Sequence, residues 1–353
     1  MSQDHRPQPL TNQAIREHLA SLAKPPGSLG RLEDLAVELC RIQQTLRPVS
    51  TPRKLVVFGG DHGVISEGVT AWPGEITQIM LQTIAQGKAA SSALAMATST
   101  SLEVFDVGSF RGGALRHQGS SSVRRDYWML PGSRNLARQP AMTVDELEQA
   151  LTAGRQIARE VAAQGFRIVA GGEMGIGNTT PAACLTSLIS NESGALVVGR
   201  GAGADDETLQ RKTQVVTQAV ERARQHGTGQ LRKQLAEVTG VELATLAGFF
   251  AESSQLGLVV ILDGFIATAA ALMAETLWPE SRRNWIAAHC STEPGHAIAL
   301  RFLQLDPFLD WQMRLGEGTG ALLLMPMLDA ACAILSRMTT IAQLQTELVH
   351  TRT

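Results

Sequence analysis

The chain reads as an α/β protein: a parallel sheet with helices on both faces, plus a smaller helical layer. Three observations predict this. Short, fully apolar runs recur from Lys54 onward and alternate with longer segments of helical spacing, the pattern of strands buried on both faces. The runs give way repeatedly to glycine, at Gly59-Gly60, Gly108, Gly171-Gly172, Gly199, and Gly264 after Asp263. The 353 residues exceed one minimal core and suffice for a large domain with a smaller one.

Taken in order, a proline-containing arm leads to Lys24-Pro25-Pro26-Gly27-Ser28-Leu29-Gly30, a stiff turn with few conformations open to it. Leu32, Leu35, Ala36, Leu39 and Ile42 follow at helical spacing and predict an amphipathic helix. Strands are expected at residues 55–58, 102–107, 167–170, 195–198, 258–262 and 285–288. Helices lie between several of them, one opened by the capping box Thr143-x-x-Glu146. The apolar stretch 258–277 has the length of a membrane span, but Asp263-Gly264 interrupts it. An Asp at a bilayer centre costs roughly 2.5–3.5 kcal/mol. A buried strand running into a buried helix from Phe265 avoids that cost and predicts a soluble chain. The tail from Thr319 to Met338 reads as an apolar helix containing Pro326, expected to pack with the N-terminal helix as the second layer.

Composition narrows the function. Apolar residues make up 44% and charged residues 18%, an ordinary globular balance. Formal net charge is −2 and aromatics are only 4%, with no basic cluster, which argues against nucleic-acid binding. Cys40, Cys184, Cys290 and Cys332 are widely separated, form no C-x-x-C pair, and suit buried thiols in a reducing cytoplasm. Residues 1–7 are polar and lack the apolar core of a signal peptide.

Ligands of such folds bind outside the carboxyl ends of the strands, so polar residues there are the leading candidates. Gly171-Gly172-Glu173-Met174-Gly175-Ile176-Gly177-Asn178-Thr179-Thr180 follows an apolar run and leads into a helix. Its glycines permit a sharp turn and close backbone approach. Asn178, Thr179 and Thr180 stand where unpaired helix N–H groups can hold an anion such as phosphate. A glutamate in that turn is unfavourable unless it meets a developing positive charge. Glu317, framed by glycines in Gly316-Glu317-Gly318-Thr319-Gly320, is a second such carboxylate, and together they point to an enzyme.

Other positions keep two readings. Asp61-His62-Gly63 is either a polar element at the binding edge or a turn whose Asp caps backbone. Asp263 either contacts substrate or fixes a loop, because a buried carboxylate must be hydrogen-bonded. Gly199-Arg200-Gly201-Ala202-Gly203 with Lys212 on the following helix suggests a clamp for a charged group, although a lone helical lysine is usually solvated. Ser291-Thr292-Glu293-Pro294 opens a helix and caps it or contacts substrate. Gly87-Lys88 lacks the Ser or Thr of a phosphate loop, and no Gly-x-Gly pattern completes a dinucleotide fingerprint. His289, Cys290 and His296 match no common zinc spacing.

The segment from Lys24 to Glu33, Asp61-His62-Gly63-Val64, the Gly172-to-Pro181 turn, Leu262-Asp263-Gly264-Phe265 and the segment from Met313 to Gly320 occur in this order. Together they resemble the nicotinate-nucleotide–dimethylbenzimidazole phosphoribosyltransferase family, from about Lys24 to Ala331. The resemblance implies a Rossmann-like parallel sheet domain at residues 50–305 and a small domain from both chain ends, residues 1–49 and 306–353. It implies a homodimer and no metal or organic cofactor. The implied reaction moves 5-phosphoribose from nicotinate mononucleotide to 5,6-dimethylbenzimidazole, preparing the lower axial ligand of cobalamin. Glu317 matches the general base and Glu173 a second carboxylate near C1′. The 5′-phosphate would sit on Gly175, Gly177, Asn178, Thr179 and Thr180 with Gly201, Gly203 and Lys212 nearby, and Asp263 and Ser291 are further substrate contacts. Pro73, Met80, Met174 and Leu315 would sandwich the flat base. Trp72 and Met80 depart from residues found in some relatives, which leaves the choice of base open. A nucleotide sensor without turnover and a hydrolase of the same bond are the competing expectations.

Overall fold

The computed structural model describes residues 9–115, 122–201 and 203–350. The expectation about residues 1–7 therefore lies outside the described residues. The chain divides into two compact units, residues 52–324 and residues 1–51 with 325–353.

Along the chain the strands are β1 (Arg53–Gly60), β2 (Ser101–Gly108), β3 (Val123–Arg124), β4 (Ile168–Met174), β5 (Val259–Leu262), β6 (Trp285–Ala287), β7 (His289–Ser291) and β8 (Leu309–Met313). The helices begin with α1 (Asn12–Ser21), α2 (Arg31–Gln43), α3 (Glu75–Ala85), α4 (Ala90–Ala97) and α5 (Gly112–Leu115). Next come α6 (Val144–Ala163), α7 (Thr179–Ser190), α8 (Gly194–Val197), α9 (Asp206–His226) and α10 (Leu231–Val238). The series ends with α11 (Val241–Gln255), α12 (Phe265–Leu277), α13 (Pro294–Leu303), α14 (Thr319–Arg337) and α15 (Ile341–His350).

In the larger unit six parallel strands form one sheet in the order β3-β2-β1-β4-β5-β6. Strands β1 and β5 are buried along their whole length because helices cover them, which is why they read as unbroken apolar runs. The order of strands reverses between β1 and β4. At such a switch point the connections leave in opposite directions and open a crevice beyond the carboxyl ends. Glu173 pairs in register with Phe58 near the end of β4, so it stands at that crevice. A two-stranded parallel sheet, β7-β8, completes the set.

Helix α11 is buried from Val241 to Ser253 and crosses α6 at two glycines. A Cβ on Gly154 would lie 1.8 Å from the Thr245 carbonyl oxygen, and one on Gly248 2.0 Å from that of Leu151. The two backbones thus touch, and a larger residue at either point would separate them.

In the smaller unit α2 is the amphipathic helix expected, with Leu35, Ala36, Leu39 and Ile42 on its buried face. Ahead of it Lys24 pairs with Glu33 at 2.8 Å, and the Leu29 N–H donates to the same carboxylate at 3.0 Å, which ties the proline turn to the helix. Leu22 and Thr340 form an antiparallel bridge that joins the two chain ends. Burial, with Cys332 nearby, pushes the Cys40 thiol up to about 12, so it is an inert core group. α14 carries Pro326 in its interior, as expected. By length and composition it is the one described helix able to cross a membrane, but half of its apolar window is buried, as in a core helix.

Three sequence expectations need correction. Residues 195–198 form no strand; Gly194–Val197 is a single helical turn, α8, packed on α7, α9 and α13. A four-residue apolar run cannot separate a strand from a buried turn of helix, and here three helices surround it. Gly199 is accordingly not at a strand end. The turn placed at Gly171 begins later, because β4 runs through Gly171, Gly172 and Glu173 to Met174. Strands β3, β7 and β8 went unpredicted: β3 has two residues, and β8 is half-buried or exposed throughout, so neither presents an apolar run.

Candidate active site

The crevice at the switch point opens into a cavity of about 520 Å³ within the larger unit. Its floor is the end of β4. Its walls come from the turn after β4, the start of α9, the ends of β5 and β7, and the glycine loop after β8.

Both glutamates lie on this cavity, each about 5% exposed. The strand that carries Glu173 and the loop that carries Glu317 touch through glycines. A Cβ on Gly172 would stand 2.6–2.8 Å from the backbone of Glu317 and Gly318, so the loop rests on a strand position that admits no side chain. A Cβ on Gly316 would stand 2.5 Å from the Glu173 carboxylate. The glycines around both acids are therefore what brings them together. Glu317 has φ +60°, between Gly316 at +85° and Gly318 at +80°. Its Oε2 accepts a hydrogen bond from the Ser91 hydroxyl at 2.7 Å, supplied by the first turn of α4. Ser91 is fully buried, and nothing in the local sequence marked it.

Glu173 accepts a hydrogen bond from the Asn178 side-chain amide. Burial first, then the nearby charges of Asp263, Glu242 and Glu317, hold its carboxyl well above the usual range, and the Asn178 bond opposes them. The neutral form is thereby favoured more than in an ordinary glutamate, and a cation arriving beside it would favour the ionised form.

At the other end, Lys212 is 1% exposed and donates to the Thr179 hydroxyl at 2.8 Å and the Gly199 carbonyl at 3.0 Å. Burial pushes its pKa down to about 8, against the pull of Glu293. This is no solvated helical lysine. From α9 its ammonium reaches the N-terminus of α7, where Gly175, Gly177, Asn178 and Thr179 also line the cavity, an arrangement suited to an anion. Gly201 and Gly203 line the same end, and the Gly201 N–H donates to Glu293 at 2.8 Å. Glu293 stands at the N-cap position of α13 yet makes no side-chain cap; it reaches across to the glycine loop instead. This is neither of the two roles that its sequence position suggests.

Ser291 lines the cavity and is held from behind, because its N–H donates to His296 Nδ1 at 2.8 Å. Burial, with His289 nearby, pushes His296 down to about 3, so the ring is neutral with its proton on Nε2, 2.9 Å from the Thr268 hydroxyl. His296 thus serves as a hydrogen-bonding group behind the cavity, whereas His289 lines it, with Nε2 3.7 Å from Asp263 Oδ1. Among the described residues no cluster of three or more His, Cys, Asp or Glu is arranged to hold a metal ion.

Met80, Met174, Leu315 and Trp72 line the cavity with Val69 and Ile76 as an apolar slot. Pro73 and Thr180 do not reach it; Thr180 is fully buried in the first turn of α7. Asp61 and His62 lie outside the lining as well. Asp61 accepts the Phe110 N–H at 2.8 Å, the capping alternative, and burial raises its pKa. His62 pairs at 2.9 Å with the fully buried Glu242.

The family model described as phosphoribosyltransferase matches residues 5–345. The nicotinate-nucleotide–dimethylbenzimidazole phosphoribosyltransferase of Thermus thermophilus is 44% identical over 321 residues, covering 91% of this chain and 93% of the relative. The enzyme of the same name from Pseudomonas putida is 42% identical over 344 residues, 95% of each chain. The crystal structure of CobT from Thermus thermophilus superposes with a TM-score of 0.88 at 41% identity, covering 94% of this chain and 97% of that one. The chain belongs to this phosphoribosyltransferase family.

Proposed function

We propose that the enzyme transfers 5-phosphoribose from nicotinate mononucleotide to 5,6-dimethylbenzimidazole, releasing nicotinate and α-ribazole 5′-phosphate for the nucleotide loop of cobalamin. The observation that carries this reading is the convergence of Glu317 and Glu173 on one cavity whose far end is built for an anion.

The phosphate docks at the N-terminus of α7 with Lys212, and the flat base enters the slot of Met80, Met174 and Leu315. One ring nitrogen of the base attacks C1′ with its lone pair, while the bond from C1′ to nicotinate breaks and its electrons return to the pyridine nitrogen. Glu317 takes the proton from the other ring nitrogen, so the attacking base never becomes a cation. A positioned base of this kind typically contributes about 10²–10⁴-fold. Glu173 stabilises the positive charge that develops at C1′. Attack opposite the leaving group converts the β-linkage to α. No cofactor takes part in this scheme. We place the enzyme in the cytoplasm, acting as a homodimer without nucleic-acid or membrane partners.

Purified protein supplied with both substrates should yield nicotinate and an α-riboside in equal amounts. Ribose 5-phosphate in place of the riboside would make it a hydrolase, and binding without turnover would make it a sensor.

A further inference from the structure

Asp263 stands at the end of β5 and lines the cavity, yet its carboxylate is committed to backbone. Oδ1 accepts the N–H of Gly320 at 2.7 Å and of Ala321 at 3.1 Å, and Oδ2 accepts that of Gly318 at 3.1 Å. A carboxylate offers roughly four lone-pair sites, so little acceptor capacity is left for a substrate. Two of the three donors open α14, whose first-turn N–H groups have no partner within the helix.

The segment held this way carries Glu317, and its backbone is left-handed at Gly316, Glu317 and Gly318 in succession. For a residue with a Cβ that region costs about 1–2 kcal/mol. An untethered loop would relax to another shape and take the Glu317 carboxylate with it. Thr319 adds a second tie, its hydroxyl donating to the Gly316 carbonyl at 2.8 Å. His289 confines the group from the other side. Its Nε2 lies 3.7 Å from Asp263 Oδ1, and its ring packs so closely on Gly320 that a Cβ there would fall 2.0 Å away.

We propose that Asp263 is a positioning residue for Glu317, fixing the left-handed loop through three backbone N–H groups, with Thr319 as a second tether, and does not touch substrate. The inference rests on Glu317 being the proton acceptor.

The test compares wild type, Asp263→Asn, Glu317→Ala and the double variant in kcat and in KM for each substrate, with melting curves alongside. Asparagine keeps the shape but turns an NH₂ toward a backbone N–H. Misplacing a reactive group by about an ångström costs on the order of 10²-fold, so kcat of Asp263→Asn should fall about 10- to 100-fold with both KM values within about twofold. In the Glu317→Ala background the same substitution should cost nothing further, because the two residues act as a unit. Thr319→Val should lose activity in the same direction and less, and Thr319→Ser should restore it. A loss confined to KM for the mononucleotide, or one undiminished in the Glu317→Ala background, would overturn the proposal. An Asp263→Asn protein that cannot fold would also overturn it, by making Asp263 a stability element. Wild-type turnover in Glu317→Ala is a different outcome: the base assignment itself would fall, and the positioning role with it.

Discussion

Burial drives Glu173 and Lys212, both on the cavity, in the same sense, toward neutrality, but with opposite consequences for binding. Glu173 lies among Asp263, Glu242 and Glu317, and its carboxyl is held well above the usual range. Lys212 faces a helix N-terminus, and burial brings it down to about 8. Nicotinate mononucleotide carries a cationic ring and an anionic phosphate. Burial thus weakens each group's hold on its charge, and the matching part of the substrate would strengthen it. Binding should release a proton at Glu173 and, above about pH 8, take one up at Lys212.

The largest effect expected separates chemistry from binding. Glu317→Ala should lower turnover by at least about 100-fold while mononucleotide affinity stays roughly intact. Steady-state kinetics with a direct binding measurement would show it, and equal activity would remove Glu317 from the mechanism.

At the anion end, Lys212→Ala should weaken mononucleotide binding by about 10- to 100-fold, since hydrogen bonds between charged groups contribute roughly 1.5–3 kcal/mol. The sign of its pH dependence follows from the lowered pKa. Below about pH 8 the free lysine is already charged, and above it binding must take up a proton, so wild-type affinity should fall as pH rises through that value. The variant should lack this alkaline fall. A variant that keeps it would assign the titration elsewhere.

Glu173 supplies the opposite limb. Its pKa is raised in the free enzyme, and the cationic ring favours the ionised form, so binding should release up to about one proton and tighten as pH rises toward that raised value. Calorimetry in two buffers of different ionisation heat would detect the release, which Glu173→Gln should abolish.

The smallest contrast lies in the base slot. Met80→Ala should raise KM for dimethylbenzimidazole about tenfold, the scale of a lost apolar contact. Pro73, which does not reach the cavity, should tolerate alanine within about twofold. Similar losses from both would mean that the slot extends past its present lining.

Much of this comparison was legible in the sequence, because burial leaves a mark there. β1 and β5 read as apolar runs since helices cover both faces, and the two framed glutamates stood out against their glycines. What escaped were interactions made between distant parts of the chain. Ser91 and Glu317 are 226 positions apart, and Gly201 and Glu293 are 92, so no local pattern records either pair. α8 escaped for another reason: its apolar run is too short to carry a period. Asp263 keeps two meanings in the sequence because its three N–H partners lie 55 to 58 positions away.

Glu317 at φ +60° has a cost that falls outside catalysis. Holding an L-residue in that conformation removes about 1–2 kcal/mol from the folded state's margin, which a glycine would partly recover. Glu317→Gly should therefore be inactive yet melt at or slightly above the wild-type temperature. The enzyme would then be less heat-resistant for carrying its proton acceptor where the reaction needs it, a trade between durability and turnover concentrated in one residue.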